Sequence, residues 1–380
     1  MQPTMATVHK PRLTYIDWMR GVACLFMFQT HCYDSWLSPQ ARRGHFFYWS
    51  QLGGTIPAIS FLFLAGISFA LVTERMREKG ATSPQIARQT ILRGAEIFGY
   101  GLLFRLQEFL LGWGWAPKTD LLRVDVLNII GLSMMLMGVV CYFTAGSGSI
   151  ISQRRNNLAA GVLVALSVAL LSPLIWTVWR PRFLPWPLES YINGVHIYNE
   201  PQPWLFPLFP WAGFAFAGLA AGFALRSAWA REHETDTLFS AGLAGALLIL
   251  FANAVEAGPQ FYPVHDFWHT SPSFFLIRVG ILLITLALGY GWCRFGARAR
   301  GFSPLVLLGQ NSLLVYWIHI EFVYGKFSFL PKHGSTIGMA TFGLAVIFFS
   351  MLLLSWLRAR MRGSFASMWQ RLRPAPAALD

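Results

Sequence analysis

The chain has 380 residues, of which 55% are hydrophobic, 16% aromatic and only 12% charged. Soluble domains carry about 25% charged residues, so this composition excludes a soluble enzyme or binding module and points to a polytopic membrane protein. The net charge of +13 then reads as basic loops gathered on one side of a membrane, and not as a surface for nucleic acid.

The expected fold is all-α, a bundle of about ten transmembrane helices. Apolar segments of spanning length lie near 16–37, 53–73, 91–113, 124–144, 158–179, 207–226, 237–258, 273–294, 303–325 and 337–357. Residues 21–33 follow Lys10, Arg12 and Arg20 as the apolar core of a signal peptide would. The run continues to Leu37, however, and no small-residue cleavage site follows, so it reads as an uncleaved span. With both termini cytoplasmic, the basic clusters at Arg75–Lys79, Arg154–Arg155, Arg226–Arg231, Arg294–Arg300 and Arg358–Arg373 share one side. Only scattered cations such as Arg42, Arg43, Lys118 and Lys332 fall on the other. No stretch is long enough for a separate soluble domain. Residues 1–357 form one transmembrane domain, and 358–380 a basic cytoplasmic tail that reads as an anchor on the inner leaflet. The location implied is the inner cell membrane.

Cys24, Cys32, Cys141 and Cys293 lie in or beside apolar segments without metal-ligand spacing, and read as small buried side chains. The connection at 180–206 is rich in proline and aromatic rings. That proline density excludes a regular helix, leaving an interfacial loop or a platform over an external substrate. His265 and His269 have ligand-like spacing, but beside prolines they read as an interfacial pair, and no metal site is expected.

Polar residues inside apolar segments are costly and therefore mark candidate sites. In the first segment, Arg20 and His31 lie eleven steps apart, which on a helix places them about 20° apart in rotation and roughly 16 Å apart along the axis. Arg20 sits near the cytoplasmic end. It either snorkels to the interface beside Asp17 or binds a cytoplasmic anion such as the phosphates of a cofactor. His31 and His319 fall at similar depth towards the outer half of their segments. Arg105, Glu108, Asp125, Asn128 and Glu321 gather on the same half, as an aqueous site opening outward would require.

Several stretches together resemble a family. The opening Ile16-Asp17-Trp18-Met19-Arg20-Gly21, followed by an apolar run and His31, is similar to the first helix of transmembrane acyltransferases, in which an Arg-x10-His pair marks the acyltransferase type 3 group. The run GGTIPAISFLFLAGISFAL at 53–71 resembles the second helix of that superfamily. RVDVLNIIGL at 123–132 and LGQNSLLVYWIH at 308–319 resemble segments of the heparan-alpha-glucosaminide N-acetyltransferase-like branch.

This resemblance, from Arg12 to about Gly325, implies a membrane-bound acyltransferase. Acetyl-CoA or a related acyl-CoA is the implied donor substrate, with no permanently bound cofactor. A hydroxyl or amine of an extracytoplasmic, carbohydrate acceptor takes the acyl group. By position His31 is the catalytic histidine, as general base or acyl carrier, and Arg20 the motif arginine on the donor side. Asn311 lies in a matching motif, and His319 is grouped with the catalytic residues. Arg105, Asn128 or Asn311 would supply hydrogen bonds to an oxyanion, and Glu108, Asp125 or Glu321 would orient an imidazole or bind acceptor hydroxyls. Membrane lipid, acyl-CoA and a glycan or glycolipid acceptor are the implied partners, with homo-oligomerisation open. The rival classes are a transporter or flippase using the same buried groups as a proton relay, and a non-catalytic scaffold.

Overall fold

The computed structural model describes residues 13–114, 117–146, 148–179, 181, 183–194, 206–264, 266–296 and 303–372, with side chains to Met361 except that of Thr177. Among them all regular structure is helical. The elements are α1 (Thr14–Trp36), α2 (Pro39–Arg42), α3 (His45–Gly54), α4 (Ile56–Glu78), α5 (Ser83–Leu111), α6 (Val126–Ala145), α7 (Ile150–Thr177), α8 (Trp186–Asn193), α9 (Leu208–Leu225), α10 (Ala228–Glu232), α11 (Glu234–Glu256), α12 (Pro272–Gly291), α13 (Pro304–Gln310), α14 (Ser312–Val323) and α15 (Ile337–Leu372).

Each of the ten expected apolar segments coincides with one long helix or a consecutive pair. By length and composition, seven helical segments can cross a membrane, or eight if the bent pair α13–α14 counts as one span. The two long helices outside that set are α1 and α5. They carry Asp17, Arg20, Gln29, His31 and Asp34, and Arg93, Glu96, Arg105 and Glu108. The polar groups that lower their hydropathy include the candidate residues Arg20, His31, Arg105 and Glu108.

Packing is set by glycines at the helix crossings. A methyl added at Gly66 or Gly218 would overlap the facing backbone of α9 or α4, and the same holds between Gly94 and Gly131 and between Gly245 and Gly280. Small residues let helix backbones approach where lipid offers no hydrophobic drive to associate. One such crossing joins α1 to α13. A Cβ at Gly309 would strike the Asp17 carbonyl, and one at Gly21 would strike the Leu305 carbonyl. Leucine and phenylalanine face outward on α7, α11 and α15, including Leu163, Leu250 and Phe349, as surfaces solvated by lipid would.

Two expectations need correction. The segment 303–325 is not one straight span: α13 and α14 meet at about 90° across Asn311. Depth counted along a straight rod therefore does not apply to His319. The proline-rich connection does hold a regular helix, α8, because its prolines sit where a helix tolerates them. Pro185 is the N-cap and Pro187 lies in the first turn, whose N–H groups have no intrahelical partner. The helix stops at Gly194, which adopts φ 64°. Residues 195–205 of that connection lie outside the described residues. In the tail, α15 runs unbroken to Leu372. The basic residues Lys10, Arg12, Arg298, Arg300 and Arg373 fall outside the described residues.

All four cysteines are free thiols; Cys24, Cys32 and Cys141 are buried and Cys293 partly so. His265 lies outside the described residues, and His269 is paired with Asp266 at 2.8 Å.

Candidate active site

The structure brings His31 and His319 into direct contact. His31 Nδ1 lies 2.9 Å from His319 Nε2, with the ring planes within 2° of each other. His319 Nδ1 lies 2.7 Å from the Val315 carbonyl oxygen. That carbonyl can only accept, so Nδ1 of His319 carries the hydrogen. In a neutral imidazole the other nitrogen is then a lone-pair acceptor. His319 Nε2 therefore accepts from the N–H at His31 Nδ1, and His31 Nε2 keeps its lone pair. The chain Val315 C=O, His319, His31 thus fixes the tautomer that exposes a base. His319 is fully buried, with the Phe28 ring 5.0 Å away, while His31 is half-buried.

The second group of candidate residues forms a cluster one turn away along α14. Arg105 bonds Glu108 on its own helix and Asp125 Oδ2 at 2.9 Å. Tyr316, three residues before His319, donates to the same Asp125 oxygen at 2.8 Å. Gln107 bridges α5 to α14, donating to Glu321 at 2.7 Å and accepting from the Trp317 indole N–H at 2.7 Å. Arg105, Glu108 and Asp125 thus form one cluster, which Tyr316 brings beside His319 with ring centroids 6.1 Å apart, and Gln107 ties Glu321 to α5. Sequence reading missed Tyr316, Gln107 and Trp317. Tyr316 and Trp317 are adjacent rings inside the apolar run 313–318, and Gln107 is one polar residue on α5, so none of them carries a signal until α14 packs against α5.

Two expected residues make hydrogen bonds within the fold. Asn128 is fully buried, accepting from the Asp125 N–H at 3.0 Å and donating to the Phe98 carbonyl at 3.0 Å. Asp125 in turn caps α6 through the Leu127 N–H at 2.8 Å, so Asp125 and Asn128 form a capping box. Asn311 stands at the α13–α14 bend and donates to the Leu307 carbonyl at 2.9 Å.

Arg20 lies near the other end of α1, 24% exposed. It bonds Asp17 at 3.0 Å and Ser68 on α4 at 2.6 Å. Asp17 itself is buried and also accepts from Gln310 at 3.4 Å. Arg20 is therefore both part of the α1–α4–α13 junction and reachable from outside. A separate buried cluster, Glu74 with Arg77 at 2.9 Å and Arg154 at 2.7 Å, ties α4 to α7.

The described residues thus hold a helical bundle with a histidine pair, His319 buried and His31 half-buried, and a cluster of carboxylates and arginine on α5 and α6. Residues 12–256 match the model of the family described as heparan-alpha-glucosaminide N-acetyltransferase, catalytic, and the chain belongs to that family. The match includes Arg20, His31, Arg105, Glu108, Asp125 and Asn128, whereas Asn311, Tyr316 and His319 lie beyond it. A comparison with curated proteins gives no match.

Proposed function

We propose that this chain is a multi-pass acyltransferase of the inner cell membrane, ten spans with both ends cytoplasmic, that moves an acetyl or related acyl group from cytoplasmic acyl-CoA to a hydroxyl or amine of an extracytoplasmic carbohydrate acceptor. The observation that carries this reading is the Val315–His319–His31 chain, which leaves His31 Nε2 as a lone-pair base on a helix matched to an acetyltransferase family.

In this mechanism His31 takes the acceptor's proton as its oxygen or nitrogen attacks the thioester carbonyl. His319 holds the imidazole in the competent tautomer and does not meet the substrate. Glu108 and Glu321, with Arg105 between α5 and α6, bind acceptor hydroxyl or amine groups. Arg20 lies on the donor side, where a guanidinium suits the phosphates of CoA. Asn128 and Asn311 are assigned to the fold, because their carboxamides are hydrogen-bonded within it.

The test is transfer of labelled acetyl from acetyl-CoA to a panel of amino sugars and glycans by the purified full-length protein, with His31→Ala as the comparison. Loss of transfer in His31→Ala supports the reading. Equal transfer in both proteins removes His31 from catalysis, and no binding of acetyl-CoA by the wild type rejects the acyltransferase.

A further inference from the structure

Asp34 breaks a local rule. It sits in the last turn of α1, which contains no basic residue, and a carboxylate there opposes the negative end of the helix dipole. Local rules of this kind are broken where function or compensation requires it. The compensation is visible. Tyr324 donates its hydroxyl to Asp34 Oδ2 at 2.8 Å, and Arg42 approaches Oδ1 at 3.4 Å. Arg42 is fixed in turn, donating to the Leu37 carbonyl at 3.2 Å and lying 3.1 Å from His333 Nδ1. The segment after α14 straps this group onto the end of α1: the His333 N–H reaches the Ser35 carbonyl at 2.9 Å and the Ser335 N–H the Trp36 carbonyl at 2.8 Å.

The same group faces the base. Residues three apart on a helix are side-chain neighbours, about 5–6 Å between Cβ atoms, so Asp34 stands one turn beyond His31. The Tyr324 ring lies edge-on to His31 with centroids 5.4 Å apart. His319, Tyr324 and Asp34 face His31, and Tyr324, with Cys32 near its hydroxyl, and Arg42 face Asp34, with His333 behind Arg42.

We propose that Asp34 is the positioning carboxylate of this site, favouring the imidazolium that His31 becomes when it takes the acceptor's proton, with Tyr324 and Arg42 holding it in place. The inference rests on the reading of His31 as proton acceptor. In the step it serves, the acceptor's O–H or N–H bond breaks as its electron pair bonds the acyl carbon, and the proton passes to His31 Nε2. The C–S bond breaks with its electrons on sulfur, and the imidazolium returns the proton to that thiolate, giving free CoA thiol.

The experiment reads His31 directly. Full-length protein in detergent is treated with diethyl pyrocarbonate across a pH series, and modification of the peptide containing His31 is followed by mass spectrometry. An opposite charge within one turn favours the charged form of the ring. Asp34→Asn is expected to move the half-maximal point of the profile about one unit to lower pH, and Asp34→Glu to restore it. Arg42→Gln removes a cation that competes for Asp34 and is expected to move the point to higher pH, which also serves if Asp34→Asn does not fold. Acetyl transfer by Asp34→Asn is expected to fall about tenfold in kcat, with KM for acetyl-CoA within about twofold. Profiles that coincide in wild type, Asp34→Asn and Arg42→Gln overturn the proposal, as does a His31 peptide unmodified at every pH in the wild type. A wild type that transfers no acetyl group rejects the acyltransferase reading, while the modification profiles still decide the role of Asp34.

Discussion

His31 Nδ1 and His319 Nε2 stand 2.9 Å apart although they lie 288 positions apart in the chain. Because His319 is committed to the Val315 carbonyl through its other nitrogen, the pair has a direction, and it ends on a lone pair at His31.

That direction gives a ranked mutational series. His31→Ala should lower kcat for acetyl transfer by about 10²–10⁴-fold, the range for loss of a general base. His319→Gln keeps an acceptor for the His31 N–H and should lose less than His319→Ala, which frees the tautomer. Single-turnover acetyl transfer measures both, and equal activity in His319→Ala and wild type would refute the orienting role.

Arg20 should affect binding more than chemistry. Arg20→Ala is expected to weaken acetyl-CoA binding, measured by titration calorimetry, with kcat changing much less. Asp17 is buried and would lose this cation, so a stability loss of about 1–3 kcal/mol is also expected in thermal unfolding. Unchanged donor affinity would return Arg20 to a purely structural role at the junction with Ser68.

The buried ion pairs make the opposite prediction. Arg105→Ala leaves Asp125 buried beside Tyr316 without its cation, and Glu74→Ala strands Arg77 and Arg154. Removing one partner of a buried pair costs about 3–5 kcal/mol. Thermal unfolding in detergent should show a large loss for both variants, whereas Tyr316→Phe, which removes one hydrogen bond, should cost about 1–2 kcal/mol.

The α1–α13 crossing should tolerate no side chain. Gly309→Ala places a methyl against the Asp17 carbonyl, and overpacking of this kind costs about 1–3 kcal/mol. Because α13 leads directly into α14, the displaced helix should also misalign His319. Lowered thermal stability together with lowered transfer is the expected outcome. A variant with wild-type stability would show that the crossing can relax.

The amino-acid sequence by itself determined the helical membrane character, the positions of ten helical segments and the face shared by Arg20 and His31. These follow from hydropathy and the 3.6-residue repeat, which act over a few turns of chain. The family was also legible, from the stretches at 123–132 and 308–319 together with the opening segment. Only the tertiary structure decided which polar residues meet. It broke the ninth segment at Asn311, turned α14 so that His319 reaches His31, and set Tyr316 and Gln107 against α5. It also showed that Asn128 completes a helix cap and that Asp34 is clamped by Tyr324 and Arg42. Such pairings depend on helix crossings made possible by single glycines such as Gly21 and Gly309. A residue's own neighbours in sequence carry no record of the backbone that will face it.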